Sequence, residues 1–327
     1  MPNRRKHEPF FAPKRNLFSD PQIGLFAKDK FRIVDGGADG AMFAPFDATP
    51  KDIHVYTFEP RGTTSQRPHQ HTVVEGGIWS KEATQELHVA KVPSTSSIYP
   101  PNMELLTYFD DRYGAPPRTT EKRVPIELIS IDAAVSQGKM RPPNFIKLDV
   151  HSAEYEALQG AQNSLDECLG VLVEVWHLDI HKGQKLSSAV DSFLNENGFL
   201  LFSGRHMMSW LHSWKGQVLA SDRPHTVGAE SLYLRWDPPE HLLAAHIALL
   251  ELFGFSALAR RRLDEEHISL PSDLRARMAA ALDANIEERE VEEAEAARLK
   301  RLEKKRFKEF LVERETLIPA SVERDSF

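Results

Sequence analysis

Residues 145–161 read FIKLDVHSAEYEALQGA, and two periodicities meet inside them. Phe145 to Val150 is a short apolar run of the kind that forms a buried strand, and from Ala153 the apolar residues recur at helical spacing. The joint carries Asp149 and His151, a carboxylate and an imidazole at the carboxyl end of a strand, just before a helix begins. In an open α/β sheet that edge is where ligands bind.

The pattern repeats on both sides. FRIVD (31–35), HVYTFE (54–59), HTVVE (71–75), GVLVEV (170–175), FLLFS (199–203) and ESLYLRW (230–236) are further strand-like runs. Helical patterns lie at 153–163 and 186–197, the second stopping at Asn197-Gly198. This alternation predicts a doubly wound sheet with helices on its faces. Residues 92–125, with VPSTSSIYPPN and RYGAPPRTT, break the rhythm. A Pro- and Ser-rich excursion of that length reads either as a functional loop or lid, or as a surface insertion.

Beyond Trp236 the chain turns helical. DPPEHLLAAHIALLELFGFSALARRRL and SLPSDLRARMAAAL are amphipathic, and a charged tail runs from Asn285 to about Glu315. The tail is acidic from Glu287 to Glu295 and basic from Arg298 to Lys308, a polarity that complements the helix macrodipole and predicts one long helix. Val291, Leu299, Leu302, Phe310 and Leu311 would seek burial against another copy, giving a homo-oligomer, or against the body; a freely solvated helix is the alternative.

Composition narrows the class. The 327 residues are 41% hydrophobic and 27% charged with a net charge of −7, enough for one α/β core plus an appendage and giving no sign of a nucleic-acid surface. A single cysteine, Cys168, excludes an intramolecular disulfide and a cysteine-based zinc site. The start, MPNRRKHEPFFAPKRN, is basic without a following signal-peptide core, and no window reaches the length of a membrane span. The expectation is a cytoplasmic protein with no membrane span. Its expected parts are a basic arm (1–30), a nucleotide-type domain (31–236), a helical segment (237–284) and a long charged helix and tail (285–327).

The first strand runs into Gly36, Gly37 and Gly40, which let the backbone turn tightly beside a ligand, although the spacing misses the dinucleotide fingerprint. The second strand ends in Glu59, suited to a pair of ribose hydroxyls and unsuited to a 2′-phosphate. NAD and S-adenosylmethionine both fit such a ribose. Asp35 and Asp39 beside the loop would repel a pyrophosphate and suit an ammonium and a sulfonium, which favours S-adenosylmethionine.

VDGGADG, YTFEP, SSIYPPN, FIKLDVHSAEYEALQGA and LVEVWHLDIHKGQKLSSAVDSFLNENGFLLF, in this order, resemble the FkbM-type S-adenosylmethionine-dependent methyltransferases over roughly 31–236. The resemblance implies a Rossmann-like seven-stranded methyltransferase sheet whose last strand is antiparallel, here with a C-terminal helical extension. It also implies O-methylation, commonly of a sugar hydroxyl in a glycan or glycosylated metabolite. It places Gly37, Ala38, Asp39 and Gly40 around the aminoacyl tail, Glu59 at the ribose, Ile78 and Trp79 beside the adenine, and Asp149 near the methyl group. Ser97 and Tyr99 of SSIYPPN become candidate acceptor contacts. Where the family usually carries Asp-Val-Glu-Gly or Asp-Val-Gln-Gly, this chain has Asp149-Val150-His151-Ser152. That departure keeps open a catalytically altered module that binds S-adenosylmethionine in a structural or regulatory role.

Methyl transfer to a hydroxyl needs in-line alignment and help in removing a proton. His151 is a candidate general base because an unperturbed imidazole titrates near 6.5. A substrate contact or a bystander at the helix start are its other readings. Glu154, Glu174 and His177 could reach the same edge as further acceptor contacts, and with Asp149 they form a conceivable oxygen/nitrogen metal site without a compact ligand motif.

Overall fold

The computed structural model describes residues 16–37, 42–58, 70–265 and 270–317. Its strands are β1 (Phe31–Gly36), β2 (Ile53–Phe58), β3 (Gln70–Val74), β4 (Gly77–Ile78), β5 (Ala83–Ala90), β6 (Thr120–Ile129), β7 (Phe145–Leu148), β8 (Gly170–Trp176), β9 (Phe199–Trp210) and β10 (His225–Arg235). The helices are α1 (Met103–Leu106), α2 (Ala115–Arg118), α3 (Ile131–Ser136), α4 (Glu154–Gln159), α5 (Ser187–Glu196), α6 (Leu243–Leu252), α7 (Ser256–Asp264) and α8 (Ser272–Leu317).

Seven strands form the central sheet in the order β3-β2-β1-β7-β8-β10-β9. β1, β2, β3, β7 and β8 pair in parallel, whereas β10 runs antiparallel to both β8 and β9. The strand order reverses direction next to β1, so the carboxyl ends of β1 and β7 flank the crevice that such a reversal opens. Every residue of β1 is buried, as expected of a strand covered on both faces.

The covering layers differ from the sequence expectation in three places. α3, α4 and α5 pack one face through Ala157, Leu158, Val190 and Leu194. On the other face the described residues between β1 and β2 hold only a short 3-10 turn at Phe46–Ala48, so no crossover helix covers them. The C-terminal helices fill that gap: Ile247, Leu249, Leu250 and Leu252 join Phe31, Ile33 and Phe145 in one buried cluster. The segment 237–284 is therefore part of the main core and not an appendage. The expected arm 1–30 is also cut short, because Leu17, Phe18, Ile23 and Phe26 are buried and the Phe18 ring lies 4.7 Å from Phe26 and 5.0 Å from Phe31. Residues 1–15 lie outside the described residues. Finally, α8 runs unbroken from Ser272 through the expected boundary at 284/285.

Residues 92–125 are not wholly irregular. β6 starts at Thr120 and pairs along its length with β5, and β4 adds a third strand to this small second sheet. Its residues alternate in exposure before turning wholly buried at Leu128 and Ile129, a half-buried strand pattern hidden by the charges of Glu121, Lys122 and Arg123.

Candidate functional site

A cleft opens at the carboxyl edge of the central sheet, and the second sheet roofs it. Gly37, Phe58, Asp149, Val150 and His151 line it from the main sheet, Ile78, Leu87, Ile126 and Leu128 from the second sheet, and Pro93, Ser94, Ser96 and Ile98 from the loop between. The Pro/Ser-rich excursion thus supplies one wall. Gly37 brings the chain leaving β1 against the end of β7: its φ is +78°, and a Cβ there would stand 1.9 Å from the carbonyl oxygen of Asp149. Only glycine permits that approach. The lining is largely apolar, with the hydroxyls of Ser94 and Ser96 on the loop wall and the carboxylate of Asp149 and imidazole of His151 on the main-sheet wall.

The charged groups follow from strand register. Asp35 of β1 lies beside Lys147 of β7, and Asp149 stands two residues beyond Lys147. Lys147 Nζ reaches Asp35 Oδ1 at 3.4 Å and Asp149 Oδ2 at 3.6 Å. Burial opposes the ammonium charge, but the two carboxylates outweigh it and hold the Lys147 pKa above its ordinary value.

Beyond β7 the backbone turns through two consecutive left-handed residues, His151 (φ 50°) and Ser152 (φ 84°). Side chains clamp this turn. Ser97 Oγ donates to the His151 carbonyl at 2.6 Å, and the Val150 amide donates to Glu154 Oε1 at 2.9 Å. Ser152 Oγ lies 2.8 Å from both Gln184 Oε1 and His181 Nδ1. Burial lowers the His181 pKa to about 3, so that imidazole is neutral. The Ser152 proton goes to Gln184 Oε1, so Nδ1 of His181 carries the hydrogen that faces Ser152.

The His151 ring points toward Glu174 of β8, with Nδ1 3.7 Å from Oε2, and sits 6.5 Å from the Trp176 ring. Burial drives the Glu174 pKa well up, and the charges of Asp149 and Glu154 add to the rise while Arg118 and Lys147 oppose it. Glu154 is likewise raised, mainly by burial. Asp149, His151 and Glu174 each offer one ligand atom within 4.8 Å of the others. Lys147 already supplies a cation to this group.

The candidate residues divide. Asp149, His151, Glu154 and Glu174 converge at the strand end, and Gly37 and Ile78 line the cleft beside them. Asp35 is 3% exposed and engaged by Lys147 inside the sheet. Trp79 is held by its amide donating to the Ile129 carbonyl, with its ring 6.0 Å from Tyr99. Ser97 and Tyr99 brace the site: Ser97 is 2% exposed, and the Tyr99 hydroxyl donates to Glu156 Oε1 at 2.7 Å. His177 is exposed and pairs with Ser187 Oγ at 2.8 Å, apart from the cluster. Ala38, Asp39, Gly40 and Glu59 lie outside the described residues.

Several contributors escaped the sequence reading. Arg118 is buried with its guanidinium carbon 4.7 Å from the Trp210 ring centre and 5.8 Å from that of Trp176, and it donates to the Tyr113 carbonyl. Burial lowers its pKa to about 10. His181 and Gln184 were visible only as part of the family-like stretch, since nothing local ties them to Ser152, 29 and 32 residues earlier.

Residues 36–201, about half of the chain, match the family described as the methyltransferase FkbM domain. No curated protein matches the chain. Among solved structures, methyltransferase FkbM from Methylobacillus flagellatus KT is similar at 14% identity and a TM-score of 0.31, over 65% of this chain and 47% of that one. The match thus spans about half of that protein's length.

Proposed function

Because this chain belongs to the FkbM methyltransferase family, we propose that it is an S-adenosylmethionine-dependent O-methyltransferase whose acceptor is a hydroxyl of a sugar in a glycan or glycosylated metabolite. The domain carrying this activity is residues 31–236, and the strand order β3-β2-β1-β7-β8-β10-β9 with β10 antiparallel supports reading the sheet as the Rossmann-like methyltransferase type. The observation that carries the proposal is the meeting of Gly37, Asp149 and His151 at one wall of the cleft, at the carboxyl ends of adjacent strands.

S-adenosylmethionine, when bound, supplies an electrophilic methyl group. The chain's part is to align the acceptor, keep water out and receive a proton. Gly37 gives the tail of the ligand a close backbone approach, with Ala38, Asp39 and Gly40 beside it, Glu59 at the ribose, and Ile78 against the base. His151 takes the hydroxyl proton at Nε2, the ring nitrogen turned away from Glu174. As the ring gains charge, the Asp149 carboxylate, with an oxygen within 4.8 Å of an imidazole nitrogen, favours the imidazolium, since an opposite charge within about 4–6 Å stabilises the charged form. Asp149 keeps negative potential at the strand end.

Calorimetry tests the first half of this reading: heat with S-adenosylmethionine or S-adenosylhomocysteine and none with NAD. Mass spectrometry of glycans from cells with and without the gene tests the second, as a methyl group that goes missing. Binding of neither sulfur ligand would overturn the proposal. One feature supports a second reading, an S-adenosylmethionine-binding module without turnover: Ser152 is tied into a closed network with His181 and Gln184 where the family usually has glycine. Tight binding with no methyl transfer across an acceptor panel would select that reading.

A further inference from the structure

α8 leaves the body partway along its length. Met278, Leu282 and Asn285 are buried, Asn285 Nδ2 donates to Glu251 Oε1 at 2.8 Å, and Arg289 donates to the Gly254 carbonyl at 2.7 Å. From 290 to 306 every residue is exposed, including Val291 at 68%, Leu299 at 52% and Leu302 at 46%. Continued to Leu317 at 1.5 Å per residue, the helix stands out by roughly 40 Å.

The charges of this segment fall mainly in two blocks. Self-supporting helices interleave signs so that a Glu stands four residues before a Lys or Arg. Between 287 and 308 no Glu stands so, and only Glu295/Arg298 and Glu303/Arg306 place a Glu three residues before an Arg. Like charges take that spacing in Glu288/Glu292, Lys300/Lys304 and Arg301/Lys305, against the opposite pair Arg289/Glu293. Such pairs destabilise an isolated helix. The signs are separated along the axis, acidic toward the body and basic toward the tip.

We propose that the projecting part of α8 pairs antiparallel with the same segment of a second copy of this chain, forming a homodimer through a two-fold axis between residues 296 and 297. Antiparallel pairing is what separated blocks of opposite sign select, because it lays each acidic block along a basic one, whereas parallel pairing sets like against like. The axis at 296/297 satisfies apolar and charged residues together. It brings Val291 opposite Leu302 of the second copy, twice by symmetry. On the flanks it sets Glu287 against Lys305 and Glu288 against Arg306. Val291 and Leu302 are eleven residues apart, about three turns, and so share one helix face. A groove along the helix on the side of that face is lined by Ala294, Ala297, Arg298, Arg301, Leu302 and Lys305. The apolar seam is short, so the contact depends on its ion pairs and is reversible.

Sedimentation velocity on the full chain provides the test. The expected result is a dimer at low salt that dissociates at about 1 M salt, where screening acts over about 3 Å. The E287K/E288K variant reverses four interchain pairs and should weaken dimerisation by about tenfold or more. Adding K305E and R306E to that variant exchanges the blocks and should restore the dimer. The helical circular dichroism of each variant reports that the fold is kept. A parent chain monomeric at low salt overturns the proposal, as does a dimer indifferent to E287K/E288K or a fourfold variant that fails to regain it.

Discussion

Ser152 sits in the left-handed turn after β7, and its environment allows the cost of changing it to be worked out. The residue holds φ at 84°, a region where an L-residue costs roughly 1–2 kcal/mol. Its hydroxyl offsets that cost by bonding both Gln184 and His181, and the side chain is 2% exposed. Ser152→Ala keeps the backbone cost and removes both bonds. Gln184 Oε1 retains the His181 amide as a donor, but the buried Nδ1–H of His181 loses its acceptor. Two lost bonds at about 0.5–1.5 kcal/mol each, with one orphaned donor, give about 1.5–3 kcal/mol of destabilisation. Ser152→Gly loses the same bonds and relieves the backbone, so it should be about 1 kcal/mol more stable than Ser152→Ala. Urea unfolding of the three proteins measures both differences. An alanine variant as stable as the parent, or a glycine variant weaker than the alanine one, would refute the account of how this turn is held.

His151→Ala should lower turnover by about 10²–10⁴-fold with S-adenosylmethionine affinity nearly unchanged, and an alanine variant at near-parental rate would move the base to Asp149. Gly37→Ala should destabilise by about 2–5 kcal/mol, from left-handed strain plus overlap with the Asp149 carbonyl, and should abolish cofactor binding in whatever fraction folds; urea unfolding and calorimetry read the two effects. Glu251 is fully buried in α6, and burial raises its pKa from 4.5 to about 8. A raised acid binds its proton more tightly in the folded state, so its contribution is present below pH 4.5 and is lost as pH rises toward 8. Glu251→Gln should keep the Asn285 bond and flatten this fall, so thermal melts of the variant and parent should diverge with rising pH; parallel curves would show that Glu251 does not titrate as described.

All seven strand-like runs fall on strands of the central sheet, and β1, β7 and β8 were the most legible because buried parallel strands are short and almost wholly apolar. The second sheet was not legible. β6 carries Glu121, Lys122 and Arg123 on its open half, and charge in that density hides a two-residue period. The role of α6 was hidden for another reason: nothing in LLAAHIALLEL says which surface it covers, and the need arises because the described residues between β1 and β2 hold only a short 3-10 turn. At the site, Asp149 and His151 could be placed by their position after a strand. Asp35 was assigned outward because the sequence does not display register. Once β1 and β7 pair with Asp35 beside Lys147, its carboxylate has a cation within the sheet.

That lysine bears on why a buried strand ends as this one does. Asp35, Asp149, Glu154 and Glu174 crowd one edge, and ionising all of them together would be costly in a site with little water. The chain resolves this in two ways. Lys147, one turn of the pleat before Asp149 and in register with Asp35, faces two of the carboxylates at 3.4 and 3.6 Å. The other two, Glu154 and Glu174, are driven toward their protonated forms by burial. Charge at the edge is therefore set by groups that are either ion-paired or held neutral. His151 stands beside them, with Nδ1 3.7 Å from Glu174 and a ring nitrogen within 4.8 Å of an Asp149 oxygen. With Glu154 and Glu174 held toward neutral and Asp149 facing Lys147, the Asp149 carboxylate remains beside the imidazole to favour a proton on the ring, and that is the physical reason to look for the general base at His151 before Asp149.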